Sequence, residues 1–217
     1  MVQTLIILGH PNGEQSHTQQ FLKESLEKFP NVKQHTISHS WDVEAERILL
    51  KQAERIIFQF PVYWYGAPGH LKTWIDTIFH PSMSYLKGKE LGIVASFGVA
   101  EHQFQAGGRE HFTPSEMFRP FEMLANYFQM MYLPIFCVFK WMYQSEGDKQ
   151  KQLIEYQMYV SAPNPCRLID KGKWLSEQLQ TINTDGVFDS LIETMIYNNE
   201  EIEQLLTMVT DIKHNIR

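Results

Sequence analysis

Cysteine is scarce: only Cys137 and Cys166 occur in 217 residues, too far apart for a C-x-x-C redox pair or a zinc knuckle. Cys137 lies in the apolar run 133–139, which predicts a buried structural thiol, and no metal site is expected. No apolar run approaches the roughly 18 residues that span a bilayer. The opening Met1-Val2-Gln3-Thr4 lacks the basic region of a signal peptide, and its apolar run stops at Gly9. A reducing cytoplasm is the expected location. Positive charge is also short, with 19 Lys and Arg against 25 Asp and Glu, a net −6. Such a chain has no general attraction to phosphate backbones or anionic lipid, so nucleic-acid binding is not expected as its main role. The Walker loop G-x-x-x-x-G-K-[ST] and the dinucleotide fingerprint G-x-G-x-x-G are both missing, which argues against ATP chemistry and against a nicotinamide cofactor held in Rossmann fashion. Internal repeats and low-complexity segments are missing too.

What the chain has in quantity is aromatic surface. Phe, Trp and Tyr make up 13%, with five Trp and ten Met, which favours a large apolar core or a site for a flat ligand. Apolar residues at 43% and charged residues at 20% are an ordinary globular balance. The length fits one domain, or one domain with an appendage.

Short apolar runs alternate with helical patterns, the signature of a parallel sheet covered by helices. Leu5-Ile6-Ile7-Leu8 reads as a buried first strand, and Phe21, Leu22, Leu26 and Phe29 recur at helical spacing behind it. Residues 32–38 predict an edge-like second strand, 44–53 a short helix and 56–60 a third strand. Leu71, Trp74, Ile75, Ile78 and Phe79 mark one helix face, and 91–96 a fourth strand. Thr113-Pro114-Ser115-Glu116 has capping-box spacing with Pro at the first helical position, ahead of one helix carrying Met117, Phe118, Phe121, Leu124, Ala125 and Phe128. Residues 132–139 predict a fifth strand and 148–160 a closing helix. Five strands with right-handed crossovers match an α/β, doubly wound five-stranded parallel sheet of order 2-1-3-4-5. Residues 161–217, after the linker signal Ala162-Pro163-Asn164-Pro165, predict a helical C-terminal extension to a domain spanning 1–160. There Leu191, Met195, Asn198, Ile202, Leu205, Val209, Ile212 and Ile216 keep a 3-4 spacing, read as an amphipathic helix packed on the domain or a dimer mate in preference to a coiled-coil seam.

In that sheet order, ligands bind beyond the carboxyl ends of strands 1 and 3, where strand order reverses. Three loops meet there. The first, from His10 through Ser16, His17, Thr18 and Gln19, contains neither Lys nor Arg. A phosphate would have to rely on free N–H groups at the helix start, the helix dipole and the Ser16 and Thr18 hydroxyls; a plain N-cap at Ser16 is the alternative. The second, Pro61-Val62-Tyr63-Trp64-Tyr65-Gly66-Ala67-Pro68-Gly69, is stiffened by proline and turned by glycine while carrying three successive aromatics. A planar ring with a polar edge would explain that cluster; contact with a neighbouring subunit is the alternative. The third runs from Ser96-Phe97-Gly98-Val99 through Phe104 to Gly107-Gly108 and His111. Its paired glycines permit close backbone approach to a ligand. His111 either balances negative charge on a ligand or simply precedes the Thr113 cap.

At these residues the chain resembles the flavodoxin-like NAD(P)H dehydrogenase (quinone) family. The similarity is closest to the small bacterial branch holding general stress proteins and ancillary oxidoreductases of glutathione-gated potassium-efflux systems. It is carried by Gly9-His10-Pro11 with Ser16-His17-Thr18-Gln19, by Phe58-Gln59-Phe60-Pro61-Val62-Tyr63-Trp64-Tyr65-Gly66-Ala67-Pro68, and by Leu71-Lys72-Thr73-Trp74-Ile75-Asp76. Gln105-Ala106-Gly107-Gly108, Arg119-Pro120-Phe121 and Leu133-Pro134 extend it across roughly 1–160. The resemblance implies a bound flavin, FMN ahead of FAD, with NAD(P)H as co-substrate and a small quinone-like molecule as acceptor in a ping-pong cycle. It implies a homodimer with the site at the subunit boundary, and peripheral association with a membrane transporter as an alternative role. By position, His10 and Ser16–Gln19 would hold the phosphate and ribityl end. Val62–Tyr65, with Pro61 and Gly66 shaping the turn, and Ser96–Val99 would hold the ring, and Phe104 would lie beside it. Gln19 stands where the family usually has Asn, Phe97 and Val99 replace residues of a T-T-G-G segment, and Phe104 replaces a common Tyr.

Overall fold

Side chains of successive strand residues point to opposite faces, and in β1 (Thr4–Leu8) every one is buried. Leu5 and Ile7 enter one core, Ile6 and Leu8 another, so β1 is covered on both sides. The computed structural model describes residues 2–10, 16–38 and 40–215, with side chains to 209. It divides into two compact units, Met1–Ser161 and Ala162–Arg217.

The first unit is built on a parallel sheet of order β2-β1-β3-β4-β5, as the alternating pattern implies. β1 pairs with β2 (Val32–Thr36) on one side and β3 (Arg55–Pro61) on the other, and β3 pairs with β4 (Glu90–Phe97). β3 is buried almost throughout, which is why its sequence does not alternate. On one face, α1 (His17–Glu24) contributes Leu22, and α6 (Glu146–Ser161) contributes Tyr156, Tyr159 and Val160. On the other, α2 (Val43–Gln52), α3 (Gly69–Ile78) and α5 (Arg119–Tyr127) bury Leu50, Leu71, Trp74, Ile75, Ile78 and Ala125.

Three predicted elements differ. The expected fifth strand is two pieces, β5 (Met131–Tyr132) and β6 (Phe136–Phe139), both parallel to β4. Leu91 faces Tyr132 but Val94 faces Phe136, so one extra residue is inserted between them. Pro134 sits in that insertion and has no N–H for the ladder. Its carbonyl accepts the Tyr159 hydroxyl at 2.9 Å, and that hydroxyl occupies the space a side chain at Gly92 would need. The expected single helix after Thr113 breaks at Phe118 into α4 (Pro114–Met117) and α5, because Pro120 cannot continue a helix from within. Its capping box is present, with Thr113 and Glu116 exchanging bonds. The first helix ends at Glu24; the Ser25 hydroxyl donates to the Leu22 carbonyl, and Leu26 and Phe29 pack from the turn that follows.

The second unit is a hairpin of α7 (Leu168–Ile182) and α8 (Asp189–Asn215). Asn183 joins their near ends, accepting from the Phe188 N–H and donating to Asp189, and Lys173 pairs with Glu203 at 2.5 Å. The buried positions of α8 include Ile192 and Asn199, and Asn199 packs against Gly172 of α7. Of the expected 3-4 set, Asn198, Leu191, Leu205 and Val209 are exposed in the single chain. Ile212 and Ile216 lie outside the described side chains.

Candidate functional site

The loops singled out in the sequence all leave the carboxyl edge of the sheet. Gly9 N donates to Gln59 O at 2.8 Å, and Val62 N donates to Ser96 O at 2.9 Å, so the loops after β1, β3 and β4 start side by side. Gly9 is required here: any Cβ would lie 2.6 Å from Leu71 Cδ2, where the first loop passes α3. His10 is half-buried; burial, and then the charge of His70, hold its imidazole below the ordinary histidine range. Residues 11–15, including Pro11, lie outside the described residues.

Ser16 is the N-cap of α1, its hydroxyl accepting from Gln19 N at 3.4 Å. His17 is exposed and Thr18 half-buried. The N–H groups of a first helical turn have no partners within the helix. Gln19 differs from its neighbours, since its side chain is buried and bonded inward to Gln59. The set expected to face one ligand therefore divides, with Ser16, His17 and Thr18 at the entrance and the Gln19 amide in the core.

The second loop is a two-residue hairpin. Tyr63 and Gly66 exchange both backbone hydrogen bonds, at 3.0 and 3.1 Å, and between them Trp64 (φ 45°) and Tyr65 (φ 65°) are both left-handed. That is the conformation Asn-Gly prefers. For L-residues with a Cβ it costs about 1–2 kcal/mol each, so two aromatics are held there against local preference. Trp64 is 95% exposed, Tyr63 and Tyr65 about half. Pro61 ends β3 and is half-buried.

Val62, Trp64, Tyr65, Phe97, Gly98, Val99, Phe104, Arg109 and Glu110 line an open cleft of about 160 Å³. Phe97 and Phe104 form its floor, their rings 4.9 Å apart, with Phe139 stacked on Phe97 at 4.8 Å. Nothing lies within 4 Å of where a Cβ on Gly98 would stand. Tyr63, Gly66 and Ser96 shape the loop without lining the cleft.

Arg109 and Glu110 escaped the sequence reading, which singled out His111 in the same segment. His111 is exposed, left-handed (φ 62°) and outside the cleft wall. Glu110 is paired with Arg109 and accepts the Tyr65 hydroxyl at 2.9 Å. The Arg109 and Tyr65 bonds, with the nearby charges of Arg109 and His111, hold its carboxyl below the ordinary range. Gly108 makes a close approach within its own loop, the Gln103 carbonyl lying 2.5 Å from where a Cβ would stand, and Gly107 takes φ 81° with nothing within 4 Å of its Cβ position.

A family model described as flavodoxin-like fold matches residues 2–160. The NAD(P)H oxidoreductase YrkL of Bacillus subtilis is 36% identical over 169 residues, 71% of this chain and 97% of the relative. The glutathione-regulated potassium-efflux system ancillary protein KefG of Cronobacter sakazakii is 25% identical over 172 residues, 74% of this chain and 94% of the relative. Among solved structures, an NADPH-quinone reductase from P. pentosaceus is 47% identical with a TM-score of 0.72, covering 73% of this chain and 97% of that one. General stress protein 14 of Treponema denticola, solved with FMN, is 27% identical with a TM-score of 0.66, at 73% and 97% coverage.

Proposed function

The chain belongs to the flavodoxin-like family, and from that premise we propose that it is an FMN-dependent oxidoreductase moving a hydride from NAD(P)H to a small quinone-like acceptor. One observation carries the reading: a strained hairpin holds Trp64 out into solvent beside an aromatic-floored cleft, on the same sheet edge as the N-terminus of α1. The residues present fit such a group. The helix entrance offers N–H groups and the Ser16 and Thr18 hydroxyls to a phosphate, and the half-buried His10 stands at the start of the same loop. The cleft offers apolar faces to a flat ring. FMN, when bound, would supply the hydride chemistry, with donor and acceptor taking turns at the cleft.

The chain's own residues orient and shield. Trp64 and Tyr65 would cover one side of the ring, Val62 and Gly98-Val99 would offer backbone to its edge, and Phe97 and Phe104 would keep water from the floor. His111, beside Glu110, is the candidate for balancing negative charge gained at the ring; unchanged single-turnover kinetics in His111→Ala removes that role. The exposed aromatic loop also suits a second copy of the chain, giving a cytoplasmic homodimer. A second reading, as ancillary subunit of a membrane potassium-efflux system, is favoured by the KefG relatives; co-purification with a transporter whose flux changes on binding tests it.

Steady-state kinetics with NADPH and a simple benzoquinone test the main reading. Parallel double-reciprocal lines are expected; intersecting lines contradict the shared-face cycle, and no NAD(P)H oxidation contradicts the activity.

A further inference from the structure

Three buried polar side chains link α6 to the entrance of α1. Gln59 is fully buried in β3 between Phe58 and Phe60, where an amide is an unusual choice. Tyr156 of α6, equally buried, donates its hydroxyl to Gln59 Oε1 at 2.7 Å, and Gln59 Nε2 donates to Gln19 Oε1 at 2.6 Å. Burial pushes the Tyr156 phenol well above its ordinary range, so it keeps its proton. The Gln59 carbonyl is occupied by Tyr156, its amino group turns to Gln19, and the Gln19 carbonyl is consumed inward.

For stability alone such a chain is unnecessary, because apolar residues of the same shape replace buried hydrogen-bonded pairs at little cost. It does have a consequence at the surface. Gln19 is the third residue of α1, and its backbone N–H is the one bonded by the Ser16 cap. With its carbonyl oxygen held inward, Gln19 presents no acceptor to an anion at the entrance.

We propose that Tyr156 and Gln59 are positioning residues for a phosphate monoester: through Gln19 they fix the first turn of α1 and keep an amide oxygen out of the anion's place. The inference rests on the proposed function, which puts the flavin phosphate at that entrance.

FMN and riboflavin differ only in the phosphate, so their dissociation constants for the apoprotein, read by flavin fluorescence, isolate the effect. Wild-type chain is expected to prefer FMN. Tyr156→Phe is expected to weaken FMN binding about tenfold, the scale of losing one N–H bond to the charged phosphate at a loosened first turn, with riboflavin affinity nearly unchanged. Gln19→Met keeps the side-chain length but removes the amide that bonds Gln59, and should lose FMN preference similarly. The double variant should lose little more than either single one, since both break one chain of bonds. A thermal melt on each variant separates a folding defect from a binding one. Retained FMN preference in the folded variants, or equal weakening of both flavins, overturns the inference alone. A wild-type chain that binds neither flavin overturns the functional reading and this inference with it.

Discussion

Tyr65 and Glu110 are joined by a 2.9 Å hydrogen bond across the mouth of the cleft, tying the tip of one loop to the wall of another. Both loops bend through left-handed residues, at Trp64 and Tyr65 on one side and at His111 on the other, so the tie joins two otherwise independent turns. Tyr65→Phe should leave stability within about 0.5 kcal/mol, as for exposed sites, and speed release of a bound flavin several-fold in stopped-flow displacement. An unchanged release rate would mean that the bond does not close the mouth.

The same tie has a pH signature. The Glu110 carboxyl is held below its ordinary range, so the ionised form and its bonds persist at neutral pH and are lost only as pH falls through the lowered value. Release should be flat through neutral and mildly acidic pH and accelerate only below the range in which an ordinary glutamate takes up its proton. In Glu110→Gln the acid acceleration should disappear.

Trp64 is held in a conformation that favours glycine. Trp64→Gly should therefore raise stability by about 1 kcal/mol in urea unfolding while weakening flavin binding, a trade of stability against function. Loss of stability would show that Trp64 packs on something in the folded protein.

Arg55 is fully buried, with its Nε 2.6 Å from Glu90 and one Nη donating to the Tyr159 carbonyl at 3.0 Å. The pair joins adjacent strands β3 and β4 to the end of α6. Glu90→Ala leaves the guanidinium in the core without its counter-charge, a loss of about 3–5 kcal/mol. A loss under 1 kcal/mol in denaturant unfolding would mean that the remaining bonds suffice.

The strand order and the three loops at the carboxyl edge follow from the alternation of apolar runs with helical spacing, because periodicity reports which faces are buried. Breaks inside elements are harder to read. Pro134 and Pro120 are visible, yet whether a proline ends an element or is absorbed by an insertion depends on partners such as Tyr159, far along the chain. Gln59 reads as one polar residue in an apolar strand; its partners Gln19 and Tyr156 are 40 and 97 positions away. Arg109 and Glu110 look like ordinary surface charges, and only the hairpin opposite them makes them part of a cleft. Left-handed geometry at Trp64-Tyr65 runs against residue preference, so no local rule predicts it.

The two cysteines should differ in reactivity. Cys137 is half-buried against the core, less enclosed than its apolar run implies, and burial pushes its thiol up to about 12. Cys166 is exposed. Iodoacetamide at pH 8 should label Cys166 alone, and peptide mass spectrometry of the native protein reads this directly. Equal labelling of Cys137 would show that β6 opens readily.

The visible spectrum of the chain after FMN is added and excess removed, with the released pigment identified by chromatography, tests the whole account. Retention of about one FMN per chain, with the visible absorption of a flavin and loss of retention in Trp64→Gly, is the predicted result. A colourless protein that takes up no FMN would contradict it.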